Sequence, residues 1–123
     1  LTIFITSACR EEDEDCHREI IIQNSTNYNI LFGINFKNTL GNCNLSLSTI
    51  NPKGSYELHI NECWERSLAD GHLEEFYIVD TSQFNDPTVF YDCDSIEIKN
   101  KILKHYKLTL EDLKKLDFTI TYP

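Results

Sequence analysis

Residues 102–123, ILKHYKLTLEDLKKLDFTITYP, restrict the possible fold more than any other stretch. Thr109 stands where an N-cap belongs, Asp112 follows three residues later, and Leu108 and Leu113 take the two positions of a hydrophobic staple. Four residues therefore agree on one helix start. Leu110, Leu113 and Leu116 then recur on one helical face, with Lys114 and Lys115 near the negative end of the helix dipole. Residues 118–122 alternate apolar side chains with Thr, as a half-buried strand does.

A chain of 123 residues with 41% hydrophobic content suits one domain with one modest core. The formal net charge is -9, but Glu11, Glu12, Asp13, Glu14 and Asp15 form one run. Without residues 1–15 the chain carries 15 acids against 10 bases, a net charge of -5. An acidic surface repels phosphate backbones, which argues against a nucleic-acid partner. The six lysines from Lys99 to Lys115 read as solvated helix faces.

Residues 1–9, LTIFITSAC, set apolar and then small side chains just before a cysteine, as the end of a secretion signal does, and are too short to span a membrane. The segment ITSAC resembles a bacterial lipobox, in which the signal is cut before the cysteine and that cysteine is lipidated; Thr6 replaces the usual Leu. With no basic leading segment, the precursor is expected to begin further upstream. On this reading residues 1–8 are a signal-peptide remnant, 9–16 hold lipidated Cys9 and an acidic tether, and 17–123 form a single globular domain. The alternative makes residues 1–8 a buried first strand and Cys9 a disulfide partner. The run REEDED after Cys9 repels itself and cannot join a core, which suits a tether. It also resembles the acidic signals that send lipoproteins of Bacteroidota-type bacteria to the outer face of the outer membrane, although a plain solvated spacer would look the same.

From Cys16 onward, residues 17–23 and 28–36 read as two strands joined by the turn residues 24–27, hence a hairpin. Residues 37–53, rich in Asn, Ser and Thr, read as a surface excursion. Residues 54–61 form a strand with Tyr56, Leu58 and Ile60 on one face, residues 62–71 a connection around Cys63 and Trp64, and residues 72–80 a strand centred on residues 76–79. Residues 81–91 read as loop. Asp94 or Ser95 then caps a helix to about Tyr106, on the strength of Ile98, Ile102 and Tyr106 recurring every four residues. The count is about five strands and two late helices.

Five cysteines behind an export-like start argue for disulfides, because exported compartments are oxidising. With Cys9 lipidated, Cys16, Cys43, Cys63 and Cys93 allow three pairings. Cys43 with Cys63 is favoured, since both flank the Tyr56 strand, and Cys16 with Cys93 then ties the domain entrance to the late helix. His17, His59, His72 and His105 make no CxxC, HxxxH or HExxH pattern, so neither a metal nor another cofactor is expected. No GxSxG or phosphate-cradling Gly loop is present, and adjacent Glu74 and Glu75 on a strand would face opposite ways, so no catalytic residues are assigned. Trp64 beside Cys63 reads as packing rather than as an exposed binding aromatic. The triplet Asp94, Ser95, Ile96 resembles the O-glycosylation motif of exported proteins in the same bacterial group, with helix capping as the other reading of Ser95.

The C-terminal block, together with Cys63, Trp64 and Glu65 and the strand ending at Asp80, resembles a family of small outer-membrane lipoproteins of Bacteroidota-type bacteria. The likeness runs over most of residues 17–123. Phe118 stands where that family often has Trp, and Cys93 where it has no cysteine. The resemblance implies an α+β domain, mainly an antiparallel β-sandwich-like sheet of about five to seven strands with one or two short helices near the C-terminus. It implies no catalytic activity. The expected protein is thus a cell-envelope lipoprotein, held in the outer membrane by its lipid and either surface-exposed or periplasmic. Its domain would be a non-catalytic binding module for a protein or glycan partner, with a structural subunit of a surface assembly or a small hydrolase as alternatives.

Overall fold

The computed structural model describes residues 16–35, 42–80 and 89–123. Eight strands among them form two sheets: β1 (Glu19–Asn24), β2 (Ile30–Asn35), β3 (Asn44–Ile50), β4 (Ser55–His59), β5 (Leu73–Asp80), β6 (Phe90–Asp92), β7 (Ile102–Thr109) and β8 (Thr119–Tyr122). The smaller sheet has the order β4-β1-β8 and the larger β6-β3-β2-β5-β7. All pairings are antiparallel except β1 with β8. Three short helices complete the α+β fold: α1 (Trp64–Ser67), α2 (Ile96–Lys99) and α3 (Leu110–Lys115).

The main core lies between the sheets. Ile20, Ile22 and Ile120 of the smaller sheet meet Ile30, Phe32, Phe76 and Ile78 of the larger, and Trp64, Leu113 and Phe118 join them. Each fully buried Ile or Phe of this kind contributes about 1.5–3 kcal/mol from lost apolar surface. The larger sheet is also covered on its outer face, where Leu31, Leu45, Leu47, Tyr77 and Val79 pack with Cys93 and Ile98. That double cover explains why β2 reads ILFG without alternation, since both its faces are buried.

The expected hairpin of residues 17–23 and 28–36 does not form, because β1 and β2 belong to different sheets. The turn residues carry the chain across the sandwich instead. Asn24, 1% exposed, donates its amide to the carbonyls of Tyr28, Ile50 and Asn51, and its Oδ1 accepts from the backbone and hydroxyl of Thr26. A buried amide with all its partners met fixes the crossover.

The expected excursion of residues 37–53 contains β3, paired with both β2 and β6. Its sequence NLSLSTI alternates Leu with Ser, and polar composition masked a period-two pattern. Residues 36–41 and 81–88 lie outside the described residues, and of the expected loop 81–91 the described end holds strand β6. The late helix is only α2, four residues long with Asn100 as its C-cap, and the remainder up to Tyr106 belongs to β7. A spacing of four is compatible with both a helical face and a strand face, so Ile102 and Tyr106 could not discriminate. Pairing with β5 over residues 102–109 decided for strand. Lys104 and Lys107 consequently sit on a sheet edge rather than on a helix face.

From Thr109 onward the C-terminal block folds as its sequence indicates, whereas residues 102–106 are strand and not the end of a helix. Thr109 and Asp112 make a reciprocal capping box, and Leu108 and Leu113 are both buried. Leu116 is the exception, serving as C-cap and 43% exposed.

The cysteines pair differently from expectation. Cys16 is bonded to Cys63 with Cα atoms 4.9 Å apart, and Cys43 to Cys93 at 5.5 Å. The favoured Cys43–Cys63 and Cys16–Cys93 pairings fail because β3 lies beside β6 in the larger sheet, which sets Cys43 next to Cys93.

Candidate functional site

Among the described residues, three clusters of polar side chains contain a histidine. On the outer face of the larger sheet, β2, β5 and β7 bring together Asn35, Glu75, Tyr77 and His105, because Ile34 pairs with Phe76 and Tyr77 with His105. Glu75 accepts from the Asn35 amide and lies 3.6 Å from His105 Nε2. The His105 ring stacks on Tyr77 with centroids 4.1 Å apart. The Tyr77 hydroxyl meets Cys43 Sγ at 3.8 Å, and it is the donor because the disulfide sulfur has no proton. Burial, then the charges of Glu75 and Asp94, push the Tyr77 phenol up to about 12. Tyr77 therefore stays protonated at neutral pH. Asn35 Oδ1 is buried and, among the described residues, accepts no hydrogen bond. The partners of the His105 ring are thus a carboxylate and a protonated phenol.

On the outer face of the smaller sheet, β1 and β4 bring together Glu19, Glu57 and His59. Glu19 and His59 are direct cross-strand partners, and Glu57 lies two residues before His59 on the same face. His59 Nε2 is 3.7 Å from a Glu19 oxygen and 3.6 Å from a Glu57 oxygen.

The third cluster joins the domain entrance to its end. The His17 N–H donates to Glu65 Oε1 at 2.8 Å, its ring nitrogen pairs with the other carboxylate oxygen, and its ring lies on Phe118. Burial raises the Glu65 carboxyl, but the backbone and ring hydrogen bonds from His17 outweigh it and leave the pKa below the ordinary 4.5. Trp64, beside it, is 3% exposed, so it packs rather than presenting itself to a ligand.

Cys9 lies outside the described residues. Ser95 caps α2, accepting from the Ile98 N–H and donating to the Asp92 carbonyl, while neighbouring Ile96 is 77% exposed. Glu74 and Glu75 separate as adjacent strand residues must, with Glu75 alone in the polar cluster. His72 lies exposed beyond α1. Among the described residues, His17, His59 and His105 therefore each meet a carboxylate from a segment distant in sequence, and His59 meets the nearby Glu57 as well. Spacing along the chain does not reveal them, because the distant carboxylates arrive from other strands and segments. The one local signal was Glu57-x-His59 on an alternating strand, and its third member needed the β1–β4 register.

A cleft of about 110 Å³ lies between Phe32, Ile34, Ser46 and Ser48 on one side and Tyr56 and Leu58 on the other. Pockets for drug-sized ligands run to about 300–1,000 Å³, so this cleft admits only a small group. No helix among the described residues is long and apolar enough to cross a membrane. No protein-family model, curated protein or solved structure matches the chain.

Proposed function

We propose that this chain is a cell-envelope lipoprotein, anchored in the outer membrane through Cys9, whose domain binds a protein or glycan partner rather than turning over a substrate. The cysteine pairing carries this reading. Cys16 with Cys63 and Cys43 with Cys93 use four of the five cysteines, and the odd one is the cysteine of the lipobox-like segment. Two disulfides suit an exported protein, and a leftover cysteine at the end of a signal-like stretch suits lipidation. The Cys16–Cys63 bond also fixes the point at which the acidic segment enters the domain, as an anchored module requires.

A subunit of a surface assembly would use a free strand edge, and β7, eight residues long, is an edge strand of the larger sheet. Lys104 and Lys107 on that strand disfavour pairing with another copy, which supports the binding module over the assembly. The test is mass spectrometry of the membrane-extracted protein, expressed behind a complete signal. A diacylglyceryl group on Cys9 is expected. An unmodified Cys9, or Cys9 in a disulfide, would sink the reading.

A further inference from the structure

We propose that Glu19, Glu57 and His59 form a binding site for a divalent metal ion of the zinc type on the outer face of the smaller sheet. The three donor atoms lie within 4.8 Å of one another. Metal–ligand lengths of roughly 2.0–2.2 Å in a tetrahedral site put donors about 3.3–3.6 Å apart. The two His59 distances, 3.6 and 3.7 Å, are already close to that. The remaining closure is a rotation of glutamates 36% and 61% exposed.

The backbone holds the donors in place. β1 and β4 pair in continuous register from Glu19 and His59 to Gln23 and Ser55, so these positions are fixed by five consecutive residue pairs. Two strands thus present one imidazole and two carboxylates from three adjacent positions on one face. Charge also favours a dication. Among the described residues, the only ion-pair partner of Glu19 or Glu57 is His59, so two negative groups converge on one imidazole. Like charges on neighbouring strand positions repel, and a dication with two carboxylates and a neutral imidazole is balanced. The imidazole sets the metal class, because nitrogen ligands suit zinc and its neighbours whereas calcium and magnesium take oxygen. Three protein ligands leave a fourth position open to water or to a side chain from a partner. β4 is the outer strand of its sheet, so that position is reachable from solvent.

The experiment is calorimetric titration of the full chain with zinc chloride, repeated with calcium chloride, alongside the imidazole proton resonances of His59. One zinc per chain is expected, with His59 shifting and calcium producing neither effect. Changing even a supporting group around a metal ligand lowers affinity about 10–100-fold, so His59→Ala and Glu57→Gln should each lose about tenfold or more. Both side chains are 61% exposed, so the variants should keep the fold, which a disulfide map and an unfolding curve would verify. Zinc uptake unchanged in His59→Ala would overturn the proposal, because the ion would then sit elsewhere, for instance on the Glu11 to Asp15 run. An equal response to calcium, or no zinc uptake at all, would overturn it as well.

Discussion

The ring of His17 lies flat on the ring of Phe118, with centroids 3.8 Å apart and planes within 8° of parallel. The first residues of the domain are therefore stacked on the segment that closes it. Glu65 accepts from the backbone N–H of the same histidine and pairs with its ring, and Cys16 is bonded to Cys63 one residue before Trp64. A tethered domain pulled at its entrance would transmit the load through this junction to the core.

Acid sensitivity should report that junction. The folded pKa of Glu65 lies below its ordinary 4.5, so the folded state binds this proton less readily than the unfolded chain. The contribution to stability is fully present above about 4.5 and is lost as pH falls through the lower folded value. Glu65→Gln should lower stability at neutral pH and flatten the dependence below 4.5, as urea melts across that range would show. An acid limb unchanged in the variant would mean that the His17 pairing contributes nothing.

The staple helix gives a prediction of larger size. Leu113 is fully buried in the core between the sheets, and Leu113→Ala should cost about 2–5 kcal/mol in denaturant melts. Thr109→Ala removes the cap that accepts from the Asp112 N–H and should cost about 1 kcal/mol. Leu116→Ala, at a half-exposed position, should fall below both. A loss indistinguishable from zero for Leu113→Ala would show that α3 is peripheral.

Those residues also mark what could be read in advance. The capping box and staple use contacts within five residues, so the sequence encodes them completely. That the domain mixes strands with short helices was legible in local patterns, whereas the sheet pairings were not. Asn24 looks like any turn residue until the carbonyls of Ile50 and Asn51, far along the chain, are seen to need its amide. Ile102 and Tyr106 satisfy helix and strand alike, and only pairing with β5 separates the two. The clusters of Glu19 with His59 and of Glu75 with His105 depend on register between strands, so they were hidden for the same reason.

Alkaline titration should identify Tyr77. Its phenol is pushed up to about 12 from the ordinary 10.0, so the folded state holds the proton more tightly than the unfolded chain. The associated stability is intact below pH 10 and is lost as pH rises toward 12. The difference between the phenolate absorbance curves of the parent and of Tyr77→Phe should show this single high step. Glu75→Gln should move it downward while burial keeps it above 10. A difference curve centred at 10 would place Tyr77 in water rather than under the Cys43–Cys93 cover.

The disulfides give the sharpest test of the topology. Non-reducing peptide mapping should recover Cys16 with Cys63 and Cys43 with Cys93, and no peptide joining Cys43 to Cys63. The bonds close stretches of 47 and 50 residues, and loop-closure entropy gives about 4 kcal/mol for each. Their local effects should differ. Cys43–Cys93 ties edge strand β6 to the sheet and holds α2 over its outer face, so replacing both residues with Ser should raise amide exchange at Tyr77 and Val79. The core between the sheets, at Ile20 and Ile22, should respond less, because Trp64 and Leu113 still cover it. Equal loosening of both regions would show that the outer cover and the sandwich unfold as one unit.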